Sequence, residues 1–210
     1  MRYRDREDAG RRLATELAPY ADRDAVVVLA LPRGGVPVAF EVARLLHAPL
    51  DVLLVRKLGV PGHPELAMGA IASGGVRVLS HDIISQLVVT PEEVEAATAR
   101  EGVELDRRDR MYRGDRPPTP LAGRTVILVD DGLATGATME AAIQAVRQSN
   151  PARIIVAAPV GAAETCERLR ALADEVVCAS SPDHFQAVGL WYDRFDQTSD
   201  EEVIELLNRA

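Results

Sequence analysis

Val126-Ile127-Leu128-Val129-Asp130-Asp131-Gly132-Leu133-Ala134-Thr135-Gly136-Ala137-Thr138 is the stretch whose reading decides the fold. Its four apolar residues suit a strand covered on both faces, and the small residues that follow let backbone N–H groups converge on an anion where the next helix begins. Asp130 and Asp131 stand where the strand ends. Carboxylates repel a bare phosphate, so the pair must serve another part of the ligand, with sugar hydroxyls or a bound cation as natural partners. A sugar phosphate satisfies both halves. A Walker A loop is excluded because no Gly-Lys-Ser/Thr follows, and a dinucleotide fingerprint because Gly-x-Gly-x-x-Gly is missing.

Working outward, Ala25 to Leu31 is a continuous apolar strand, followed by Pro32-Arg33-Gly34-Gly35 and a helical pattern carrying Val38, Val42 and Leu45. Pro37 suits the first helical turn. Leu50 to Val55 reads as a strand ending in Arg56 and Lys57, which would put two cations at the same sheet edge as the first turn. After the central loop, Met139, Ala142, Ile143 and Val146 mark a helix closed by Asn150-Pro151, Arg153 to Pro159 a buried strand, Ala162 to Leu172 a helix, and Glu175 to Ala179 a last short strand. The alternation predicts an α/β fold: a Rossmann-like, doubly wound parallel sheet of about five strands in one domain spanning 1–210. A helix from Asp8 to Tyr20, with Ala9, Leu13 and Leu17 inward, would cap a sheet edge.

Three further segments decorate this frame. Val60 to Ala70 has the loop-like composition of a mobile lid. Ala70 to Ser80, containing Ser73-Gly74-Gly75, reads as a hairpin. Thr90-Pro91-Glu92-Glu93 is a capping box opening a long charged helix, a helical insertion over about 90–113 whose thin stripe of Val94, Ala97, Glu101 and Leu105 packs along one seam. Its Arg/Glu-rich faces point to solvent or a subunit partner. Ser199-Asp200-Glu201-Glu202 starts a final helix with Val203, Ile204 and Leu207 inward.

The 210 residues carry a net charge of −8, 47% hydrophobic and 27% charged residues. That balance is ordinary for a globular protein, and no apolar run is long enough to span a bilayer. The acidic balance argues against nucleic-acid binding, which needs a basic surface to release counterions. The first eight residues have no apolar signal core, so the cytoplasm is the expected location. Cys166 and Cys178 read as small core fillers in a reducing compartment.

The apolar run, acidic pair and Thr-Gly-x-Thr loop together resemble the phosphoribosyl pyrophosphate (PRPP) motif of type I phosphoribosyltransferases. The resemblance implies a Mg²⁺-dependent transfer of phosphoribosyl from PRPP to a small nitrogenous acceptor, in a homodimer. It assigns the ribose 2- and 3-hydroxyls to Asp130 and Asp131, which also fix the reacting sugar, and the 5-phosphate to Leu133, Ala134, Thr135, Gly136, Ala137 and Thr138. Pyrophosphate falls to Arg33, Gly34 and Gly35, in a loop that in this family often holds a non-proline cis peptide, with Arg56 and Lys57 as further cations. The family closes a flexible loop over the reacting centre, which makes His63 and Glu65 of the Val60–Ala70 segment candidate proton handlers or base contacts, with Glu65 the candidate catalytic residue. The tail from Ser181 to Asp193 resembles the hood of the 6-oxopurine enzymes, with hood elements at the N-terminus and over 181–210. There Phe185 matches the ring that stacks on the base, with Trp191 beside it, and Asp193 matches the carboxylate that reaches Mg²⁺.

Two departures bear on the acceptor. Ala134 stands where the 6-oxopurine enzymes carry an Asp, and Ala157-Ala158-Pro159-Val160 stands where they carry a purine-reading Lys. The spacing from Phe185 to Gly189 is also one residue longer. Hypoxanthine and guanine are therefore disfavoured, and over almost its full length the chain resembles stand-alone phosphoribosyltransferases of unassigned acceptor. The rival from another class is a regulatory protein that binds PRPP or a nucleotide without chemistry.

Overall fold

The computed structural model describes residues 2–210. Its strands are β1 (Val26–Ala30), β2 (Leu50–Val52), β3 (Val55–Val60), β4 (His63–Ala72), β5 (Val76–Leu79), β6 (Thr125–Val129), β7 (Arg153–Val160) and β8 (Glu175–Ser180). Its helices are α1 (Arg6–Glu16), α2 (Gly35–Leu46), α3 (His81–Gln86), α4 (Pro91–Arg113), α5 (Ala137–Arg147), α6 (Ala163–Arg170) and α7 (Asp200–Arg209).

Five strands form a parallel sheet in the order β2-β1-β6-β7-β8, as expected. The register aligns Val28 with Ile127 and Ile127 with Ile155. Because side chains alternate across a strand, each strand feeds two cores. Val26, Val28, Ile127, Val129 and Ile155 face Leu13 of α1, Leu17 just beyond its end, and Val38 and Val42 of α2. Val27, Leu29, Val126, Leu128 and Ile154 face Met139, Ile143 and Val146 of α5 and Leu169 of α6. Burial on both sides is why these strands read as unbroken apolar runs. Each such leucine or isoleucine contributes about 1.5–3 kcal/mol by leaving water. The connections run outward to β2 from β1 and to β7 and β8 from β6, so the topology switches direction between β1 and β6. Ligands in open α/β sheets sit beyond the strand ends at such a point.

Several expectations need correcting. Leu50 to Val55 is not one strand: β2 stops at Val52, and Val55 begins β3, which pairs antiparallel with β4 in a separate sheet of order β3-β4-β5. Leu53 and Leu54 are buried at the crossing, which is why the break is invisible in hydropathy. The lid expected over Val60 to Ala70 is mostly strand, because β4 starts at His63. The hairpin at Ser73-Gly74-Gly75 forms between β4 and β5. α1 does not merely cap an edge; it starts at Arg6, is capped by Asp5, and packs on α2 and over β7 and β8.

The capping box at Thr90 and Glu93 forms, and α4 buries Val94, Ala97 and Leu105. This helix packs on β3, β4 and α7, so the insertion is part of the main body. Cys166 and Cys178 are also more than two separate fillers: α6 and the end of β8 lie side by side and the two are joined as a disulfide, their Cα atoms 7.0 Å apart. Gly161 lies between them, and a side chain there would meet Cys166 Sγ at 2.6 Å. No helix among the described residues is long and apolar enough to cross a membrane.

Candidate active site

The loop after β6 is shaped from behind. Leu133 is buried, its N–H donates to the Val160 carbonyl at 2.9 Å, and its own carbonyl accepts from Ala162 N–H at 2.9 Å. The Thr165 hydroxyl donates to the Ala134 carbonyl at 2.6 Å, and Arg168 donates to the carbonyl of Thr135. Gly136, with φ +74°, turns the chain into α5. With the carbonyls of Ala134 and Thr135 tied back, the N–H groups of residues 134–138 have no acceptor among the described residues. Four of the N–H groups at a helix start are orphaned by geometry, and here they open on solvent as an anion cradle. Leu133 differs from its five neighbours, since its N–H is already committed to Val160.

At the end of the neighbouring strand, the Pro32–Arg33 peptide is cis. Gly35 N–H donates to Leu31 O and Val36 N–H to Arg33 O, both at 3.1 Å, which closes a tight turn into α2. A Cβ on Gly34 would collide with Asp131 Oδ2, so the two loops touch and a side chain there would have to displace that carboxylate. Arg33 lies 3.6 Å from Asp200 of α7, and the same Asp200 oxygen accepts from the hydroxyl of Tyr112 on α4.

Asp130 Oδ1 accepts the N–H of Asp131 at 2.8 Å. Burial, and then the charge of Asp131, push the Asp130 carboxyl well above its ordinary 3.8. Burial raises Asp131 too, against the opposing pull of Arg6. The Tyr192 hydroxyl donates to the Asp131 carbonyl oxygen at 2.6 Å, tying the C-terminal tail to the acidic pair. Burial first, and then Asp131, raise the Tyr192 phenol. Tyr3 pairs with Tyr192, so the N-terminal segment and the tail form one small cap with Phe185, Val188 and Trp191 against it.

The other sequence candidates divide: Arg56 borders the loops and Glu65 does not. Arg56 donates to Glu101 of α4 at 2.6 and 3.0 Å, and borders a cavity of about 60 Å³ with Pro32, Arg108 and Thr138. Lys57, on the same strand but with its side chain on the alternate side, is exposed. Neither stands at the end of a strand of the parallel sheet, contrary to expectation, because β3 belongs to the other sheet. Glu65 is exposed beside the β3–β4 turn, 3.7 Å from His63, and makes no contact with the acidic pair. Asp193 is exposed with Arg2 at 3.9 Å. Phe185 and Trp191 are half-buried. A cavity of about 460 Å³ lies between α4 and the β4–β5 turn and is lined by none of these loop residues.

Two arginines were missed by sequence reasoning. Arg6 reaches Asp131 from α1, and Arg108 reaches the space between Pro32 and Thr138 from α4. No local pattern marks either, since each arrives through tertiary packing.

Residues 2–193 match the family model of the phosphoribosyl transferase domain. The chain belongs to that family. Among phosphoribosyl transferase relatives, a Mycobacterium tuberculosis protein provisionally named for this activity is 51% identical over 206 residues, covering 98% of this chain and 46% of its own length. The chain thus spans about half the length of that relative. A shorter similarity, 36% identity over 98 residues, covers 41% of the chain and 54% of a Roseiflexus protein named bifunctional protein PyrR. The solved structure of TT1426 from Thermus thermophilus matches with TM-score 0.90 and 49% identity, covering 100% of this chain and 99% of that one. A protein from Aquifex aeolicus, AQ2163, shares the fold at TM-score 0.53 and 13% identity, with 88% of this chain and 78% of that chain covered.

Proposed function

We propose that the protein transfers phosphoribosyl from PRPP to a small nitrogenous acceptor, a nucleobase or related amine, with release of pyrophosphate. The observation that carries this reading is the pairing of the free N–H groups at 134–138 with the Asp130–Asp131 pair one turn before them. An anion cradle beside two carboxylates suits a 5-phosphate with its ribose hydroxyls. The Arg33–Gly35 turn, in contact with Asp131, supports pyrophosphate binding on the other side. In this reading the acceptor attacks ribose C1 as the C1–oxygen bond to pyrophosphate breaks, and its displaced proton leaves to solvent or to the departing pyrophosphate. The enzyme's contribution is positioning and electrostatics: the carboxylates stabilise positive charge developing on the ring, and Arg33 and Arg108 stabilise the leaving group.

Mg²⁺ belongs to the proposal as a cation shared with the substrate. It characteristically takes one or two protein carboxylates together with phosphate oxygens and water, and so needs no cage of protein ligands. No group of three or more His, Cys, Asp or Glu side chains is poised to hold a metal among the described residues. The exposed Asp193, whose carboxylate has only the 3.9 Å contact to Arg2 among the described residues, fits a water-mediated role. The cation would supply charge neutralisation to the leaving group. We carry the homodimer with this reading; Val88 and Val103, 81% and 73% exposed beside and on α4, are apolar surface for a second copy, and light scattering tests it.

One observation favours a second reading, a PRPP-binding regulator without turnover: Glu65, the candidate proton handler, makes no contact with the loops. Pyrophosphate release from PRPP and Mg²⁺ across a panel of nucleobases and small amines separates the two. Release with one acceptor, abolished in Asp131→Asn, is the expected result. Tight PRPP binding with no release on any acceptor selects the regulator.

A further inference from the structure

Arg6 opens α1, the end of a helix where a cation is electrostatically misplaced because the unpaired N–H groups are already positive. Its partners account for the placement. Nε and Nη2 each lie 2.9 Å from Asp131 Oδ2, and Nη1 donates to the Asp196 carbonyl at 2.6 Å. The guanidinium carbon stands 4.0 Å from the centroid of the Phe195 ring. Only 12% of the side chain is exposed. Every nitrogen is committed and one face is covered, so the group is fixed in place.

We infer that Arg6 is a positioning residue for phosphoribosyl binding: by clamping Oδ2 it favours the charged form of Asp131 and fixes the carboxylate in place to meet a sugar hydroxyl. The inference rests on the proposed function.

The groups facing Asp131 are few. Asp130 faces it from the same loop, Arg6 from α1, Tyr192 from the tail with Tyr3 packed behind it, and the uncharged Gly34 from the start of α2. Arg33, on the adjacent turn, is engaged with Asp200. Arg6 is therefore the cation in contact with a pair whose burial and mutual repulsion favour protonation. A protonated carboxyl accepts a hydroxyl hydrogen bond more weakly than a carboxylate and does little for developing positive charge on the ring. Without Arg6 the pair would hold a proton to higher pH.

PRPP binding measured by calorimetry across about pH 6 to 9 tests this, using the whole chain as wild type, Arg6→Gln and Arg6→Lys. Arg6→Gln is expected to lose about tenfold in affinity near neutrality and to recover as pH rises, since each unit of displaced titration is a factor of ten. Arg6→Lys, which keeps the charge without the planar stack, is expected to keep the wild-type pH profile. A loss equal at every pH makes Arg6 a strut for Phe195 and overturns the inference, as does unchanged affinity or a displaced profile in Arg6→Lys. A ligand-free measurement keeps the two readings apart: the ¹³C carboxyl resonances of Asp130 and Asp131 should titrate at higher pH in Arg6→Gln. If they do not move, the role of Arg6 falls. If the wild type does not bind PRPP at any pH, the proposed function falls instead.

Discussion

The hydroxyl of Thr165, on α6, donates to the carbonyl of Ala134 at 2.6 Å. With Arg168 on Thr135, it turns the loop's acceptors inward and its donors outward. Thr165→Val keeps the shape and removes the donor. The expected result is a loss of about 1 kcal/mol in PRPP binding, with an unfolding midpoint that moves by a few degrees at most. Calorimetry paired with a thermal melt checks both; a variant that binds normally shows the loop to be held by other contacts.

Asp130→Asn should separate stability from function. The folded-state pKa of Asp130 is raised, so the folded chain binds its proton more tightly than the unfolded chain. The stability this gives is fully present below the ordinary value near 3.8 and is lost as pH rises through the folded value. Above the folded value the buried charge is a cost, and Asn removes it. Denaturant unfolding is expected to show the variant about 1–2 kcal/mol more stable near neutrality and level with wild type in acid, while PRPP binding is lost.

Tyr112 is pushed up to about 12, first by burial and then by its hydrogen bond to Asp200. A raised phenol contributes stability that is present below 10 and fades as pH rises through about 12. Asp200→Asn should bring the phenol down toward 10, its ordinary value. Ultraviolet titration of phenolate formation reads this directly. The same substitution releases Arg33, so a gain or loss in pyrophosphate affinity reports whether that arginine is held ready or held back.

Glu65→Ala is expected to change PRPP affinity by no more than about twofold and leave folding intact, as for surface positions away from caps and cores. Its side chain is 76% exposed at the hairpin. A large fall in turnover at unchanged affinity would restore Glu65 as a proton handler.

What could be read from sequence was local. The Val126–Thr138 stretch carries strand, acidic pair and loop in consecutive residues, and Thr90 with Glu93 specifies a helix start by side chains three apart. Arg33 to Gly35 likewise falls directly after its strand. What was hidden depends on neighbours distant in the chain. Leu53 and Leu54 are as apolar as the strands they separate, so Arg56 and Lys57 could not be moved to the second sheet by hydropathy. Arg6 and Asp131 lie 125 residues apart and Tyr112 and Asp200 lie 88 apart, and nothing local to either member announces its partner. Cys166 and Cys178 show the same limit, since packing of α6 beside β8 decides whether the two sulfurs meet.

Gly34 has no room for a side chain because Asp131 Oδ2 occupies the place where a Cβ would stand. The two residues therefore constrain each other's histories. A descendant that traded Asp131 for a small residue would free position 34 to drift, and one that gained a side chain at 34 would have to move the carboxylate out of its place. Under the proposed function, finding both intact in a relative, or both gone, is expected to separate chains that handle a sugar phosphate from chains that have kept only the architecture.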